Sequence, residues 1–282
     1  MKVQKLRLGL IGKDVSASKS DVIHAFILKE FGVECEYEKF SVGAAGAAAF
    51  DTAMRTLLGD FDGFNVTIPY KRDVMEYLDE VQGDAFAFGA VNTVVSATRV
   101  GYNTDGAGFL LMLKNAGIAV DGKRVLVLGG GGSGRSSAAA LKNAGADVFL
   151  YQRSREKLLE TCRELGVTPA ESGDEKNGIY GGGFDILVNC TGVGMHDSVG
   201  VSPVEKKAFE NAEAAVDLIY TPEKTVFLKL AEESGTKILN GKAMLFYQAY
   251  YADCLYLGVA PSDKQAEVFY AKFLKENEGK RR

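Results

Sequence analysis

A glycine-rich stretch at 124–153 constrains the fold of this chain more than any other segment. An apolar run at 125–128 leads directly into GGGGSG at 129–134, where the first, third and last glycines match the G-x-G-x-x-G spacing. Small residues of helical character follow at 136–141, and a second apolar run at 148–151 closes the segment. The order strand, tight turn, helix, strand predicts a Rossmann-type dinucleotide-binding unit in a doubly wound α/β domain.

Each glycine of this turn has a physical task in such a unit. Gly129 permits the tight turn, Gly131 lets the backbone approach a pyrophosphate, and Gly134 allows the helix to pack closely on the strand. The N–H groups at the helix N-terminus then donate to the anion. The alternative left open is a glycine-rich loop that only turns the chain.

The end of the second strand indicates which dinucleotide binds. NAD-binding units usually carry an Asp or Glu about 20 residues past the glycines, which holds the ribose 2′-hydroxyl. This chain has Gln152, Arg153, Ser154 and Arg155 there. The guanidinium of Arg153 can pair with a 2′-phosphate, which a carboxylate would repel. We therefore predict NADP, while Arg155 is equally well a solvated residue in the first turn of the next helix.

Length and composition narrow the class of protein. The 282 residues are enough for two domains with separate cores, and the net charge of −4 gives no indication of nucleic-acid binding. No apolar run approaches the roughly 20 residues of a membrane span, and we recognise no signal-peptide pattern. The four cysteines form no C-x-x-C pair, and the two histidines lie far apart. We expect a reduced, cytoplasmic protein with no metal, no membrane and no nucleic-acid partner.

Apolar patterns divide the chain into alternating strands and helices. Strands are predicted at 6–12, 37–42, 64–66, 90–97, 125–128, 148–151, 185–189, 215–218 and 236–238. Helices are predicted at 21–31, 44–58, 71–78, 107–116, 155–165, 243–257 and 263–276, with a loop at 171–183 and a frayed basic tail at 280–282. This alternation favours mostly parallel sheets. We expect one α/β domain from residues 1–106, completed by C-terminal helices at 243–282, and a second domain at 107–242.

The segment 65–71 is the strongest candidate for chemistry. Asn65 and Thr67 share one side of a predicted strand that Pro69 ends. Lys71 is expected in the first turn of the next helix, where the helix dipole disfavours a merely structural ammonium. A surface lysine is the alternative. One alternative is that Thr104 or Asp105 merely caps the following helix. The other is that Asp105 pairs with Lys71, so that the carboxylate orients the ammonium and both contact the reacting hydroxyl.

Further polar residues are candidates for substrate contacts. Ser18 and Ser20 precede a helix, where hydroxyl and N–H groups can bind a carboxylate, although Ser20 is also a plausible N-cap. Asn92 ends a short apolar run. Gln248 lies inside an apolar helix, where a buried amide needs a partner that a ligand can supply.

Taken together, these segments resemble the shikimate dehydrogenase family. The resemblance follows the family's order from about residue 6 to 258 and rests on several ordered motifs rather than on one glycine pattern. The motifs are Gly9-Leu10-Ile11-Gly12, Ser18-Lys19-Ser20, Asn65-Val66-Thr67-Ile68-Pro69-Tyr70-Lys71, Gly89-Ala90-Val91-Asn92-Thr93, Asn103-Thr104-Asp105-Gly106, the glycine turn, Asn189-Cys190-Thr191-Gly192-Val193-Gly194-Met195, Asp217-Leu218-Ile219-Tyr220 and Met244-Leu245-Phe246-Tyr247-Gln248.

The resemblance implies a function and a set of site residues. It implies the NADP-dependent, reversible reduction of 3-dehydroshikimate to shikimate, in two α/β domains and as a monomer or homodimer. Lys71 and Asp105 would be the catalytic pair. The implied substrate contacts are Ser18 and Ser20 for the carboxylate, Asn65, Thr67, Asn92 and Gln248 for ring hydroxyls, and Tyr220 near substrate and nicotinamide. The implied cofactor contacts are Gly129, Gly130, Gly131, Gly132, Ser133, Gly134, Arg153, Ser154, Thr191 and Gly241.

Two positions depart from the family pattern. Ala17 replaces a His before the first serine, and Asp21 replaces a Pro after the second. An acidic residue beside a carboxylate site is unfavourable unless it points away or serves the helix N-terminus. His24 matches a family position, and we expect it to be structural because no second ionisable group is placed to work with it.

Alternative functions therefore stay open. A quinate/shikimate dehydrogenase that uses NAD or NADP would share the catalytic pair. A non-catalytic nucleotide-sensing protein on the same scaffold is an alternative from a different class. A folate-linked dehydrogenase has a similar two-domain plan but lacks the segments at 65–71 and 103–106.

Overall fold

The computed structural model describes residues 5–43, 46–171 and 183–279. The chain divides into two compact units, one drawn from Met1–Gly108 with Phe246–Arg282 and the other from Phe109–Leu245. Most of the loop predicted at 171–183, the first two residues of the helix predicted at 44–58 and the basic cluster at 280–282 lie outside the described residues.

The helices of the described residues cover most of the helical segments predicted from the sequence. In chain order they are α1 (Ser20–Glu30), α2 (Gly46–Asp60), α3 (Asp84–Phe88), α4 (Asp105–Asn115), α5 (Gly132–Asn143), α6 (Arg155–Leu165), α7 (Val226–Glu232), α8 (Lys242–Leu257) and α9 (Asp263–Gly279). The short helices α3 and α7 were not anticipated, because neither has enough turns to give a clear helical period.

The first unit is built on a six-stranded mixed sheet of described residues. Its strands are β1 (Lys5–Gly12), β2 (Glu34–Ser41), β3 (Gly63–Val66), β4 (Glu80–Val81), β5 (Thr93–Val95) and β6 (Val100–Tyr102), in the spatial order β2-β1-β3-β5-β6-β4. β1 is parallel to β2 and β3, and β4 is parallel to β6. β5 is antiparallel to both β3 and β6, and a short turn joins it to β6.

The C-terminal helices pack back on the first unit, as the sequence predicted. Aromatic rings make the contact: Phe26 of α1 lies 5.2 Å from Phe273 of α9, and Phe31 lies 5.3 Å from Phe269, both edge to face. These positions return at helical spacing along α9, which explains how an amphipathic helix far along the chain completes this core.

The helix predicted at 71–78 is wrong. The structure has a 3₁₀ helix over Asp73–Tyr77, and Lys71 lies in the turn before it. The carbonyl of Lys71 accepts from Val91 N–H at 2.8 Å, so it is used outside any helix. The helix-dipole argument for Lys71 therefore fails, and the environment of its ammonium depends on tertiary contacts instead.

The second unit contains an all-parallel, six-stranded sheet of described residues. Its strands are β7 (Arg124–Leu128), β8 (Asp147–Tyr151), β9 (Thr168–Pro169), β10 (Ile186–Asn189), β11 (Ala214–Asp217) and β12 (Lys237–Asn240), in the spatial order β12-β11-β10-β7-β8-β9. The order reverses at β7, so this is the doubly wound arrangement of a dinucleotide-binding fold. In such sheets, ligands bind at the carboxyl ends of the strands beside this switch point, and the glycine turn follows β7 there.

Candidate active site

Lys71 and Asp105 form a buried pair in the first unit. The Lys71 ammonium donates to Asp105 Oδ2 at 2.5 Å, and the two side chains are 9% and 7% exposed. Two opposite charges so far from water need each other, because each alone carries a large desolvation cost. Asp105 is the first residue of α4, and its side chain is used for this pair.

Strand pairing explains how residues so distant in sequence meet. β3 and β5 place Asn65 opposite Thr93, and β5 and β6 place Thr93 opposite Tyr102. The backbone bond from Val91 to Lys71 then holds the turn after β3 against the segment before β5. Lys71 follows the end of β3 and Asp105 follows the end of β6, the two strands that flank β5, so the pair sits at one edge of the sheet.

Asn92 connects the pair to its surroundings. Its amide Nδ2 donates to Asp105 Oδ1 at 2.9 Å and to Thr104 Oγ1 at 3.0 Å, while its Oδ1 accepts from Thr104 N–H at 2.9 Å. Gln248 Oε1, from α8, lies 3.5 Å from the same Nδ2. The Asp105 carboxylate therefore has one oxygen on Lys71 and the other on Asn92, which fixes its plane.

Gln248 reaches this cluster because α4 and α8 approach closely. A Cβ atom at Gly108 would lie 2.6 Å from the backbone nitrogen of Gln248, so only glycine fits there. Gln248, which is half-buried, is thus brought beside Asn92, where its amide has polar neighbours.

Asn65 lies near this cluster and is held by Tyr37. The Tyr37 hydroxyl donates to Asn65 Oδ1 at 3.1 Å, and Asn65 Nδ2 lies 3.3 Å from Asn92 O and 3.4 Å from Thr93 Oγ1. In this orientation, Asn65 offers a ligand the second lone pair of Oδ1. Thr67 is half-buried beyond the strand end, with its methyl group over Gly12.

Ser18 and Ser20 lie side by side at the start of α1. Their hydroxyl oxygens are 3.0 Å apart, and Ser20 N–H donates to Ser18 Oγ at 3.2 Å. The N-cap is Lys19, and its side chain makes no capping hydrogen bond. The alternative that Ser20 serves as N-cap is therefore wrong, and both hydroxyls lie at a helix N-terminus, where hydroxyl and N–H donors suit an anion.

In the second unit, the glycine turn has the geometry that the spacing predicted. Gly129 has φ +102° and donates to Tyr151 O at 2.7 Å. A Cβ atom at Gly134 would collide with the carbonyl oxygen of Gly129, whereas one at Gly131 would meet no atom within 4 Å. Gly131 is the N-cap of α5, which begins at Gly132 and has no side-chain cap. The N–H groups at the start of α5, that of Ser133 among them, are therefore open to a pyrophosphate.

The remaining predicted cofactor residues lie at strand ends of the second unit. Arg153 and Ser154 are exposed after β8, and Ser154 caps α6 by accepting from Lys157 N–H. Thr191 follows β10 and donates to Asn189 Oδ1 at 2.7 Å. Gly241, after β12, is buried against the backbone of Leu218 and leaves no room for a side chain.

Four further residues of the second unit lie shortly after the ends of its strands. Arg155 is in the first turn of α6, where it pairs with Glu171 at 3.1 Å while 72% of its side chain is exposed. Gly130 faces Gln152, and Tyr220, after β11, is 38% exposed with its pKa raised by burial. Burial raises the pKa of the Cys190 thiol to about 12, which makes it a poor nucleophile.

The described residues contain neither a cluster that could hold a metal ion nor a helix that could span a membrane. No group of three or more His, Cys, Asp or Glu side chains is arranged to hold a metal ion there. Among the same residues, no helix is long and apolar enough to cross a membrane.

Sequence reasoning missed three residues that the fold brings to this region. Tyr37 and Lys39 lie on β2, and Asp253 lies on α8. Asp253 contacts His24, so the expectation that no ionisable group accompanies His24 is wrong. A charged residue at a buried position of an otherwise apolar helix was the one signal that could have drawn attention to Asp253.

The chain is similar to known proteins over most of its length. The family described as "Shikimate dehydrogenase substrate binding domain" matches residues 10–94. The shikimate dehydrogenase (NADP(+)) of Caldicellulosiruptor saccharolyticus is 37% identical, over 97% of this chain and 99% of that protein.

Two solved structures are similar over nearly the whole chain. One is the shikimate 5-dehydrogenase of Thermus thermophilus in complex with NADP(H) and shikimate, with a TM-score of 0.83 and 33% identity, covering 95% of this chain and 99% of that one. The other is the quinate dehydrogenase of Corynebacterium glutamicum in complex with NAD, with a TM-score of 0.80 and 27% identity, covering 95% and 99%.

Proposed function

Because this chain belongs to the shikimate dehydrogenase family, we propose that it catalyses the NADP-dependent, reversible reduction of 3-dehydroshikimate to shikimate. It is an oxidoreductase of the shikimate pathway, which supplies chorismate for aromatic amino-acid biosynthesis. The observation that carries this proposal is the buried contact of 2.5 Å between Lys71 and Asp105, with Asn92 on the second carboxylate oxygen.

Lys71 is the proton donor in the direction of reduction. Its ammonium gives a proton to the ketone oxygen as the ring carbon gains a hydride, and it takes the proton back when shikimate is oxidised. Asp105 holds the ammonium in place and accepts from the substrate hydroxyl. NADP supplies or accepts the hydride when it is bound. Exclusion of water from this buried pair strengthens both contacts.

The substrate ring is held by hydrogen-bonding groups of the first unit. Ser18 and Ser20 bind the carboxylate with their hydroxyls at the start of α1. Asn65, Thr67, Asn92 and Gln248 bind ring hydroxyls, which explains why so many amides and hydroxyls gather near one buried ion pair. Tyr220 stays a predicted contact of substrate and nicotinamide.

NADP belongs to the second unit, and the residues there fit it. The glycine turn from Gly129 to Gly134, with open space at Gly131, suits a pyrophosphate, and the exposed Arg153 with Ser154 suits the 2′-phosphate. Thr191 and Gly241 complete the proposed cofactor contacts. The substrate domain is 1–106 with 243–282, and the NADP domain is 107–242. The cytoplasmic location and the state as monomer or homodimer stay predictions.

Quinate oxidation with NAD is the second candidate function. The similarity to the quinate dehydrogenase in complex with NAD favours it, together with the departures at Ala17 and Asp21. Arg153 at the end of β8 argues against NAD, because no carboxylate stands there to accept from a ribose 2′-hydroxyl.

One assay separates the two candidates. Purified protein is tested on shikimate and on quinate, each with NADP and with NAD, while nicotinamide absorbance is followed. We expect the highest kcat/KM for shikimate with NADP. A preference for quinate with NAD would support the second candidate, and no absorbance change with any pair would reject both in favour of a non-catalytic role.

A further inference from the structure

Lys39 contacts both Ser18, a proposed ligand of the substrate carboxylate, and Asp21, which departs from the family pattern. Its ammonium donates to the carbonyl oxygen of Ser18 at 2.7 Å and lies 2.9 Å from Asp21 Oδ1. The second contact is an ion pair rather than a directed hydrogen bond, since the buried Asp21 Oδ1 accepts no hydrogen bond. The two side chains are only 23% and 39% exposed, so solvent screens this pair incompletely.

The position of Lys39 is fixed by the sheet. β2 pairs with β1 so that Lys39 lies opposite Leu10 and Tyr37 opposite Leu8. Lys39 and Tyr37 are two residues apart and therefore project from the same face of the strand. Tyr37 contacts the side chains of Ser20 and Asn65 from that face. Lys39 reaches Ser18 from the same side.

Asp21 would work against an anionic substrate if it stood alone. It lies in the first turn of α1, directly after Ser20, where it favours the helix N-terminus but repels a second carboxylate. The ammonium of Lys39 cancels that charge at a distance of 2.9 Å. It also holds the backbone carbonyl of Ser18, whose hydroxyl oxygen lies 3.0 Å from Ser20 Oγ.

We propose that Lys39 is a positioning residue of the carboxylate site: it neutralises Asp21 and anchors the Ser18 backbone, so that Ser18 and Ser20 can bind an anionic substrate. This inference rests on the proposed function, because it assigns the substrate carboxylate to those serines. Lys39 acts on binding of the acid and not on proton transfer. Its loss should therefore change KM for shikimate and leave kcat nearly unchanged.

Two variants test this role first: Lys39→Met, and the double variant that adds Asp21→Asn. We expect Lys39→Met to raise KM for shikimate about tenfold, with kcat and KM for NADP within about twofold of the parent. Asp21→Asn in the Lys39→Met background should restore most of the KM, because the unpaired charge has gone. A purely structural lysine would change kcat, KM and melting temperature together and would not be rescued in this way.

Lys39→Gln keeps a donor for Ser18 O and removes the charge, so it also serves if Lys39→Met does not fold. A rise in KM no larger than that of Lys39→Met is expected, because only the charge is lost. An unchanged KM in Lys39→Met or in Lys39→Gln, or a double variant no better than Lys39→Met, would overturn the inference. If the parent protein itself does not turn over shikimate, the proposed function fails instead, and the two failures are therefore distinct.

Discussion

His24 Nδ1 lies 2.6 Å from Asp253 Oδ1, in a part of the core where neither side chain is exposed. The ring of Tyr37 stacks on His24 at a centroid distance of 5.0 Å. Burial raises the pKa of the Asp253 carboxyl, and the charge and hydrogen bond of His24 oppose that rise. The pair thus joins α1 to α8 directly behind Tyr37, the residue that holds Asn65.

Removing one member of this pair should destabilise the first unit. Asp253→Leu leaves the His24 ring buried without its partner. We expect the free energy of unfolding to fall by about 3 kcal/mol, the upper value for an unsatisfied buried polar group and the lower value for a broken buried ion pair. Denaturant unfolding at pH 7 measures the loss.

The matched control replaces both residues, as His24→Leu with Asp253→Leu. An apolar pair satisfies this site without any polar group, so the double variant should be more stable than Asp253→Leu alone. The single variant His24→Leu completes the comparison. If the double variant lowers the free energy of unfolding by the sum of the two single-variant losses, the two side chains do not act together.

Lys71→Met should remove the proton donor, and it should also lower the melting temperature, because the Asp105 carboxylate then stays buried without its cation. We expect kcat for shikimate oxidation to fall roughly 10²- to 10⁴-fold, with a much smaller change in KM, because general acid–base catalysis contributes about that much. Steady-state kinetics with NADP measures it. Lys29→Met, at an exposed position in the last turn of α1, is the control. Equal turnover in Lys71→Met and the parent would refute the catalytic assignment.

The contact between Lys71 and Asp105 could be predicted from the sequence because their residue types suit acid–base chemistry. Both residues stand in short motifs where backbone turns follow strand ends, so their residue types and local order carried the hypothesis. His24 with Asp253, and Lys39 with Asp21, depend instead on which helix packs on which strand. No local pattern encodes those contacts, since they join separate elements through the register of β2 and the return of α8.

The same division holds for the fold. The second unit alternates strand and helix regularly, so its parallel sheet follows from the glycine turn and the apolar runs. In the first unit, the run at 90–97 contains only β5, Thr93–Val95, because the chain turns back at once into β6. The helix predicted at Lys71 is wrong for a comparable reason. The Lys71 carbonyl accepts a hydrogen bond from Val91, 20 residues away, and no local period reveals such a partner.

Two glycines of the turn should separate folding from cofactor binding. Gly131→Ala has room for its methyl group and an ordinary φ of −74°, so its melting temperature without cofactor should match the parent. Its KM for NADP should rise about tenfold or more, because the methyl group blocks the approach of a pyrophosphate. Gly134→Ala should instead lower the melting temperature, since its Cβ would collide with the backbone of Gly129. Unaltered NADP kinetics in Gly131→Ala would remove the pyrophosphate from this turn.

Arg153→Ala should weaken NADP and spare NAD. The loss of one charge-assisted hydrogen bond to the 2′-phosphate should raise KM for NADP about tenfold, and KM for NAD should stay within about twofold. Kinetics with both dinucleotides measures the change. Arg155→Ala is the matched control, because Arg155 pairs with Glu171. If Arg155→Ala weakens NADP and Arg153→Ala does not, the two arginines exchange roles.

Asp217 should make the stability of the second unit depend on pH. Burial raises the pKa of this carboxyl, although Thr225 Oγ1 donates to it at 2.6 Å and Ile219 N–H at 3.0 Å. Between the unfolded value near 3.8 and the higher folded value, the folded chain holds more protons than the unfolded chain. Stability must then fall as the pH rises through this window and stay low above it.

The measurement is the difference in unfolding free energy between the parent and Asp217→Asn, followed from pH 7.5 down to about pH 4, since other groups cancel in that difference. The parent should gain relative to the variant as the pH falls. Thr225→Val removes a bond that favours the ionised form, so the folded pKa of Asp217 should rise further and the pH window should widen. A difference that stays constant over this range, or moves the other way, would mean that the carboxylate is ionised in the folded chain at no cost.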